Sequence, residues 1–362
     1  MVRVRKRGVV AVQFNWIFVL IAGALILMFF IMFIGAWQKT EKMKVAIGTL
    51  HHLDSIFFGY AVQDGSSGTV ESSRAIRLEF SCTIDDFGDA SSPHVQITSH
   101  YGLVDPRVTA PLNRMAVFSP STVSGREINI HSRSFNLPFR VDKALFISSP
   151  STHFVLIGMT DNQQLQLRGI FPEHARVFPF ASKAEFLATG GLGGEHTFLI
   201  TNKDYDSNLD ASGLSTIARN TQLRKKVIDF DKKEIQNWRY DGGAFTGDSI
   251  YSTALYFDDT TLLAALYSDG TTYWCNMEKL YDRFKTVGAI HQKRYNDLET
   301  GAVLPVCRIE YGDASEVIGD MLAVPYFLNY RAQVNVSTLE DNMKSIQDSR
   351  RRVEEFSCPR MY

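Results

Sequence analysis

The chain has 362 residues, with 38 Lys and Arg against 39 Asp and Glu, and is 45% hydrophobic and 12% aromatic. That composition excludes a disordered polyelectrolyte and leaves room for one large domain or two small ones. Residues 1–44 hold seven basic residues and one acidic one, leaving 31 basic and 38 acidic residues beyond, a net charge of −7. A mildly acidic body without a basic stripe excludes nucleic acid as a partner.

The first element is the plainest. Arg5-Lys6-Arg7-Gly8 leads into an apolar run, and from Trp16 to Trp37 no side chain is charged or an amide. About 20 apolar residues span the roughly 30 Å hydrocarbon core of a bilayer, whereas a secretory signal core has about 7–15. The small residues Ile21-Ala22-Gly23-Ala24 fall in mid-run, where cleavage would leave a new apolar terminus. The spacing therefore predicts a cytoplasmic tail over residues 1–8 and a transmembrane helix over 9–38. Trp16 and Trp37 stand at its interfaces, flanked by Arg5, Lys6, Arg7 and Lys39.

Orientation follows from charge. Arg3, Arg5, Lys6 and Arg7 precede the span, against Lys39, Lys42 and Lys44 after it, offset by Glu41. This favours an inner N-terminus and a large outer C-terminal domain at the cytoplasmic membrane. Cys82, Cys275, Cys307 and Cys358 all lie beyond the span and form no C-x-x-C pair. An oxidising exterior would give two disulfides, with three pairings open. Cys275 and Cys307 border one helical segment and are the expected pair, leaving Cys82 with Cys358.

Past the membrane, Met43, Ala46, Leu50, Leu53, Phe57 and Tyr60 recur at spacings of three and four. They predict a membrane-proximal helix over 39–62 with one apolar face. Gln63–Ser73 reads as a flexible loop. Strand-like runs follow at Ile76–Cys82, His94–Gly102, Arg114–Ser119, Arg126–Ser132, Ala144–Ser149, His153–Met159 and His196–Asn202. Thr260–Cys275 reads as a hairpin turning at Ser268-Asp269-Gly270. A helix is expected from Asn276 to Glu299. A last helix opens on the capping box Ser337-Thr-Leu-Glu340, with the stripe Leu339, Met343, Ile346 and Val353, and stops at Pro359.

The expected fold is thus α+β: one N-terminal transmembrane helix, then a β-rich, mostly antiparallel ectodomain with helices at both ends. Its β-rich part covers 74–335, with two subdomains dividing near Ala181–Glu195 as an alternative. The C-terminal helix and disulfide-tethered tail cover 336–362.

Chemistry is hard to find. Gly191-Leu-Gly193-Gly194-Glu-His196 lacks the last glycine of a nucleotide fingerprint and precedes a strand rather than a helix. Nine histidines form no His-Glu-x-x-His, and Asp85, Asp86 and Asp89 lack the oxygen spacing of a calcium loop. There is no Gly-x-Ser-x-Gly elbow. No metal, cofactor or catalytic residue is expected. Asn335-Val336-Ser337 is a formal glycosylation sequon at Asn335.

Two resemblances supply context. "VQFNWIFVLIAGALILMFF", "AVFSP", "LYSDGTTYWCNMEKL" and the terminal "SCPRMY" resemble a group of single-pass proteins of small-genome archaea with no established activity. The resemblance implies an archaeal cytoplasmic membrane with a folded domain outside. "RKRG" followed by "VVAVQFNWIF" is also similar to archaeal pilin-like precursors, which implies processing after Gly8. Gln13 stands where those precursors carry an acidic residue.

The expected function is a membrane-anchored cell-surface structural, assembly or recognition protein without catalytic activity. The alternatives are a pilin-like subunit of a filament or secretion apparatus, and an extracytoplasmic hydrolase with a site assembled only in three dimensions. Its partners are the lipid bilayer and other membrane or surface proteins, met through the transmembrane and membrane-proximal helices. Ala22, Gly23 and Ala24 would permit close helix approach.

Overall fold

The computed structural model describes residues 7–63, 65–83, 94–100, 108–111, 115–219, 221–247, 252–302, 304–323 and 336–359. Among these, the side chains of 7–15, 39, 41–43, 45–46, 49–51, 73–74, 82–83, 94–100, 108–111 and 336 are not described.

Helix α1 runs unbroken from Arg7 to Val62, 56 residues, so the expected transmembrane and membrane-proximal helices are one rod of about 84 Å. Its stretch Trp16–Gln38 is long and apolar enough to cross a membrane and is covered by no other described part of the chain. Leu53 and Phe57 are buried at its far end, with Ile56, Tyr60 and Ala61 packed beside them. Met43, Ala46 and Leu50 of the expected stripe lie outside the described side chains.

The first sheet contains β1 (Ser67–Thr83), β2 (His94–His100), β3 (Val108–Pro111), β4 (Ala116–Phe118), β5 (Thr122–Asn136) and β6 (Arg140–Ser148). Their order is β3-β2-β1-β5-β6-β4, antiparallel except for the parallel pair β4–β6. The loop expected over Gln63–Ser73 is mostly strand: β1 begins at Ser67, and Ser67 pairs with His131. Alternation sends Leu145 and Ile147 of β6 towards α1, and Ala144 and Phe146 towards the opposite core.

The second sheet contains β7 (Thr152–Ile157), β8 (Arg176–Phe180), β9 (His196–Asn202), β10 (Gln222–Asp229), β11 (Glu234–Asp241), β12 (Ala244–Gly247) and β13 (Thr253–Leu255). The order is β12-β11-β10-β9-β7-β8, with β13 also paired to β11. Strands β8, β7, β9 and β10 are mutually parallel, so the expectation of mostly antiparallel pairing fails: the sheets are mixed. Helices α2 (Asp161–Ile170), α3 (Lys183–Ala188) and α4 (Ser215–Ala218) make the crossovers. Leu167 and Ile170 of α2 join the core on one face, while Phe186 of α3 and Ile217 of α4 join Val155, Ile157 and Leu199 on the other. This arrangement is a doubly wound sheet set into the domain beyond α1, with helices in its middle as well as at its ends.

The expected hairpin at Thr260–Cys275 is instead the meeting of α5 (Asp259–Tyr267) and α6 (Gly270–Gly301). Asp258 and Thr261 form a capping box on α5, and the Asp269 carboxylate accepts from Thr272 N at the start of α6. Ser-Asp-Gly therefore acts as a helix start, not a strand reversal. Every residue from Thr260 to Tyr267 is buried. A helix buried all round has no polar face, and so no 3.6-residue period to read.

Two helices close the chain, α7 (Pro305–Ala323) and α8 (Val336–Glu355). Pro305 opens α7 at a position where its missing N–H costs nothing. Leu339, Ile346 and Val353 of the expected α8 stripe are buried, and Met343 packs against them. α8 starts one residue before Ser337, and its end differs from expectation. Ser357 takes φ 52°, Cys358 N bonds Val353 O at 3.0 Å, and Ser357 N bonds Glu354 O at 3.2 Å. This Schellman pattern, rather than Pro359, ends the helix.

Both expected disulfide pairings are overturned. Cys307 is joined to Cys358, with their Cα atoms 5.8 Å apart. Tyr311 Oη donates to Pro359 O at 2.6 Å, and Arg352 Nε donates to Glu310 at 2.8 Å, so the tail is fastened to α7. The reason is topological: α7, missed in the sequence, carries Cys307 away from α6 and beneath the end of α8. Cys275 is buried on the α1 side of the first sheet and is itself disulfide-bonded. The Cys82 side chain lies outside the described residues.

Candidate functional site

Three places could carry function: the root of α1, the seam between the sheets, and the crevice at the head of the parallel strands. At the root, Leu53 and Phe57 enter a cluster with Leu78, Ile128, Ile130, Leu145 and Ile147. A helix end leaves carbonyls without intrahelical partners. Here Ser66 Oγ donates to Tyr60 O at 2.9 Å, Lys143 Nζ to Val62 O at 3.2 Å and Ser132 Oγ to Gln63 O at 2.7 Å. Lys143 is buried, and a cation at the C-terminal end of a helix also meets its dipole favourably. Side chains of the first sheet, and of Ser66 just before it, thus hold the end of α1.

The seam brings together residues far apart in sequence. The Thr122 hydroxyl lies 2.9 Å from His196 Nε2, while Ser124 N and Oγ donate to the Glu195 carboxylate at 2.9 and 2.5 Å. Arg224 Nη2 reaches Ser121 Oγ at 3.4 Å and stands 3.7 Å from Asp269. His196 is wholly buried, and among the described residues its Nδ1 has no hydrogen-bond partner. An orphaned acceptor is easier to tolerate in a core than an orphaned N–H, so the proton sits on Nε2 and points at Thr122. Burial drives the His196 pKa down to about 4, with Glu195 opposing and Arg224 adding to the shift.

This grouping holds a hydroxyl, an imidazole and a carboxylate, but it is not a catalytic relay. Glu195 Oε1 is 3.9 Å from Nε2, the nitrogen that already faces Thr122, so no carboxylate orients the ring through Nδ1. The imidazole has no exposed edge. What the arrangement does is join β5 of the first sheet to β9 of the second.

Ligands of doubly wound sheets bind outside the C-terminal ends of the strands, where the strand order reverses. Here that point lies between β7 and β9, and the chain fills it. Gly158, at φ 65°, ends β7 beneath the Tyr205 ring, and a Cβ at Gly158 would overlap that ring. The Tyr205 hydroxyl accepts from Lys183 N at 3.2 Å. Asn202 Nδ2 donates to Gln163 at 3.2 Å, and Thr160 and Gln163 form a capping box on α2. The helix start that would hold a phosphate is already satisfied.

The glycine loop before β9 lies at the opposite, N-terminal end of that strand. Gly190, Gly191, Gly193 and Gly194 all have positive φ, and Gly193 O bonds His153 Nδ1 at 2.8 Å. Burial lowers the His153 pKa.

Trp16 and Trp37 stand at the two ends of the apolar span, 69% and 60% exposed. Arg7 and Gly8 lie in the first turn of α1, and Lys39 also lies on α1, but of the three only backbone is described. Arg5, Lys6 and Asn335 lie outside the described residues. Among the described residues, no group of three or more His, Cys, Asp or Glu is placed to hold a metal ion. Sequence reasoning missed Thr122, Ser124, Glu195 and Lys143. Only the rarity of lysine in an apolar strand such as "VDKALFIS" marked the last of them.

No protein-family model matches the chain, and no curated protein is detectably similar to it.

Proposed function

We propose that this protein is a membrane-anchored, extracytoplasmic structural, assembly or recognition component without catalytic activity. One observation carries the reading. α1 continues without a break from the apolar span into the core of the first sheet, where its last carbonyls are held by Lys143, Ser132 and Ser66. A flexible tether would serve an enzyme diffusing near a membrane; a rigid one fixes the height and direction of the domain. The bias of Arg3, Arg5, Lys6 and Arg7 over the lysines beyond the span, and the Cys307–Cys358 bridge, support an outer domain. Protease added to intact cells is expected to digest the C-terminal domain and spare an N-terminal tag. Protection of the domain in intact cells, with digestion only after lysis, would reverse the topology.

The unbroken helix also favours the pilin-like reading, since an assembly helix must run straight from its processing point into its globular head. Sequencing the N-terminus of the native protein separates the two readings. A start at Val9 makes it a processed subunit, whereas an uncut basic segment makes it a permanent anchor.

A further inference from the structure

Beside the seam, the open ends of β10 and β11 bound a hollow of about 530 Å³ that none of the contacts described above fills. Its floor holds a pair that strand pairing disfavours: Arg224 and Arg239 are direct cross-strand partners and share a face. Like charges facing each other across a ladder are destabilising. Arg224, 12% exposed, is steadied from behind by Ser121 and Asp269. Arg239 is 57% exposed, and among the described residues its side chain makes only a long 3.7 Å contact with Asp241. Arg224 has Asp269 and Arg239 has Asp241 nearby, and both arginines line the hollow, where a planar oxyanion would meet them by charge-assisted hydrogen bonds.

The rest of the lining is not that of a simple anion trap. Asp241 and Gln222, on the same strand face as the two arginines, offer acceptors. A carboxylate on the lining repels a bare phosphate but accepts from hydroxyl groups. The volume falls within the range of small-molecule sites. We propose that this hollow binds a saccharide bearing a carboxylate, a uronic acid or a short uronate-containing glycan. Its carboxylate lies over Arg224 and Arg239, and its ring hydroxyls face Asp241 and Gln222. The inference names a ligand class for the recognition role and holds equally for an anchored protein and a processed subunit.

The test uses the full chain in detergent micelles, titrated calorimetrically with glucuronate, glucose and inorganic phosphate. Glucuronate is expected to bind at least about tenfold more tightly than either of the others. Arg239→Gln, at an exposed position, is expected to weaken it by at least about tenfold without lowering the thermal midpoint, since it removes one of two facing like charges. Arg126→Gln, an exposed arginine that does not line the hollow, is expected to leave it unaltered. Absence of glucuronate binding at millimolar concentrations, or binding indifferent to Arg239→Gln, overturns the site. Equal affinity for glucose overturns the role of the arginines, and equal affinity for phosphate overturns the saccharide.

Discussion

Ser357 occupies a position that belongs to glycine. Its φ of 52° closes the Schellman turn of α8, and a side chain there costs about 1 kcal/mol relative to glycine. Ser357→Gly should therefore stabilise the protein by up to about 1 kcal/mol in urea unfolding, since the exposed serine makes no described side-chain bond. His196 has the greater effect on stability. Its folded pKa of about 4 lies below the ordinary 6.5, so between these values the unfolded chain binds the extra proton. The contribution is complete above about pH 6.5 and is lost as the pH falls to about 4, with a total of about 3 kcal/mol. The same unfolding experiment at pH 7 and pH 4 should show His196→Gln losing less stability on acidification than the parent. An identical loss would place the acid sensitivity elsewhere.

At the scale of elements, the root of α1 is the contact on which the rigid joining of α1 to the first sheet depends. Phe57 is fully buried between that helix and the first sheet, and Phe57→Ala should cost about 3–5 kcal/mol. The expected sign is a lowered thermal midpoint together with faster proteolysis near residue 63, because the helix end is released. The elements also show why the strand pairing departs from the antiparallel expectation. "HFVLI" and "TFLI" are continuous apolar runs, not alternating ones, which is what parallel strands covered on both faces look like. Their composition marked them as strands; their lack of alternation was the sign of a doubly wound sheet. α5 hid for the related reason that "TTLLAALY" is buried all round. A run with no exposed face offers no period, and Ser-Asp-Gly beside it serves a hairpin turn and a helix cap equally well.

For the whole molecule, the Cys307–Cys358 bridge joins positions 51 residues apart and locks α7 to the end of α8. Closure of a loop that long stabilises by about 4 kcal/mol in the chain-entropy description. Peptide mapping without reduction should recover a Cys307–Cys358 linked pair and no Cys275–Cys307 pair. Cys275 should resist alkylation until a reductant is added. Recovery of the Cys275–Cys307 link would mean that α7 packs differently.

By itself the sequence determined the apolar span, its flanking tryptophans, seven of the strands and the two longest helices after α1. Each of these is a local pattern: a run of fixed length, a period, or a cap. Tertiary structure alone decided the order in which the strands of each sheet lie side by side, that Cys307 meets Cys358, and that Thr122, Ser124, Glu195 and His196 share one seam. It also decided that Arg224 faces Arg239 and that Tyr205 fills the crevice where a ligand of a doubly wound sheet would lie. These depend on which segments become neighbours when several apolar faces are buried at once. That choice is made by the packing of the whole chain, and no window of residues records it.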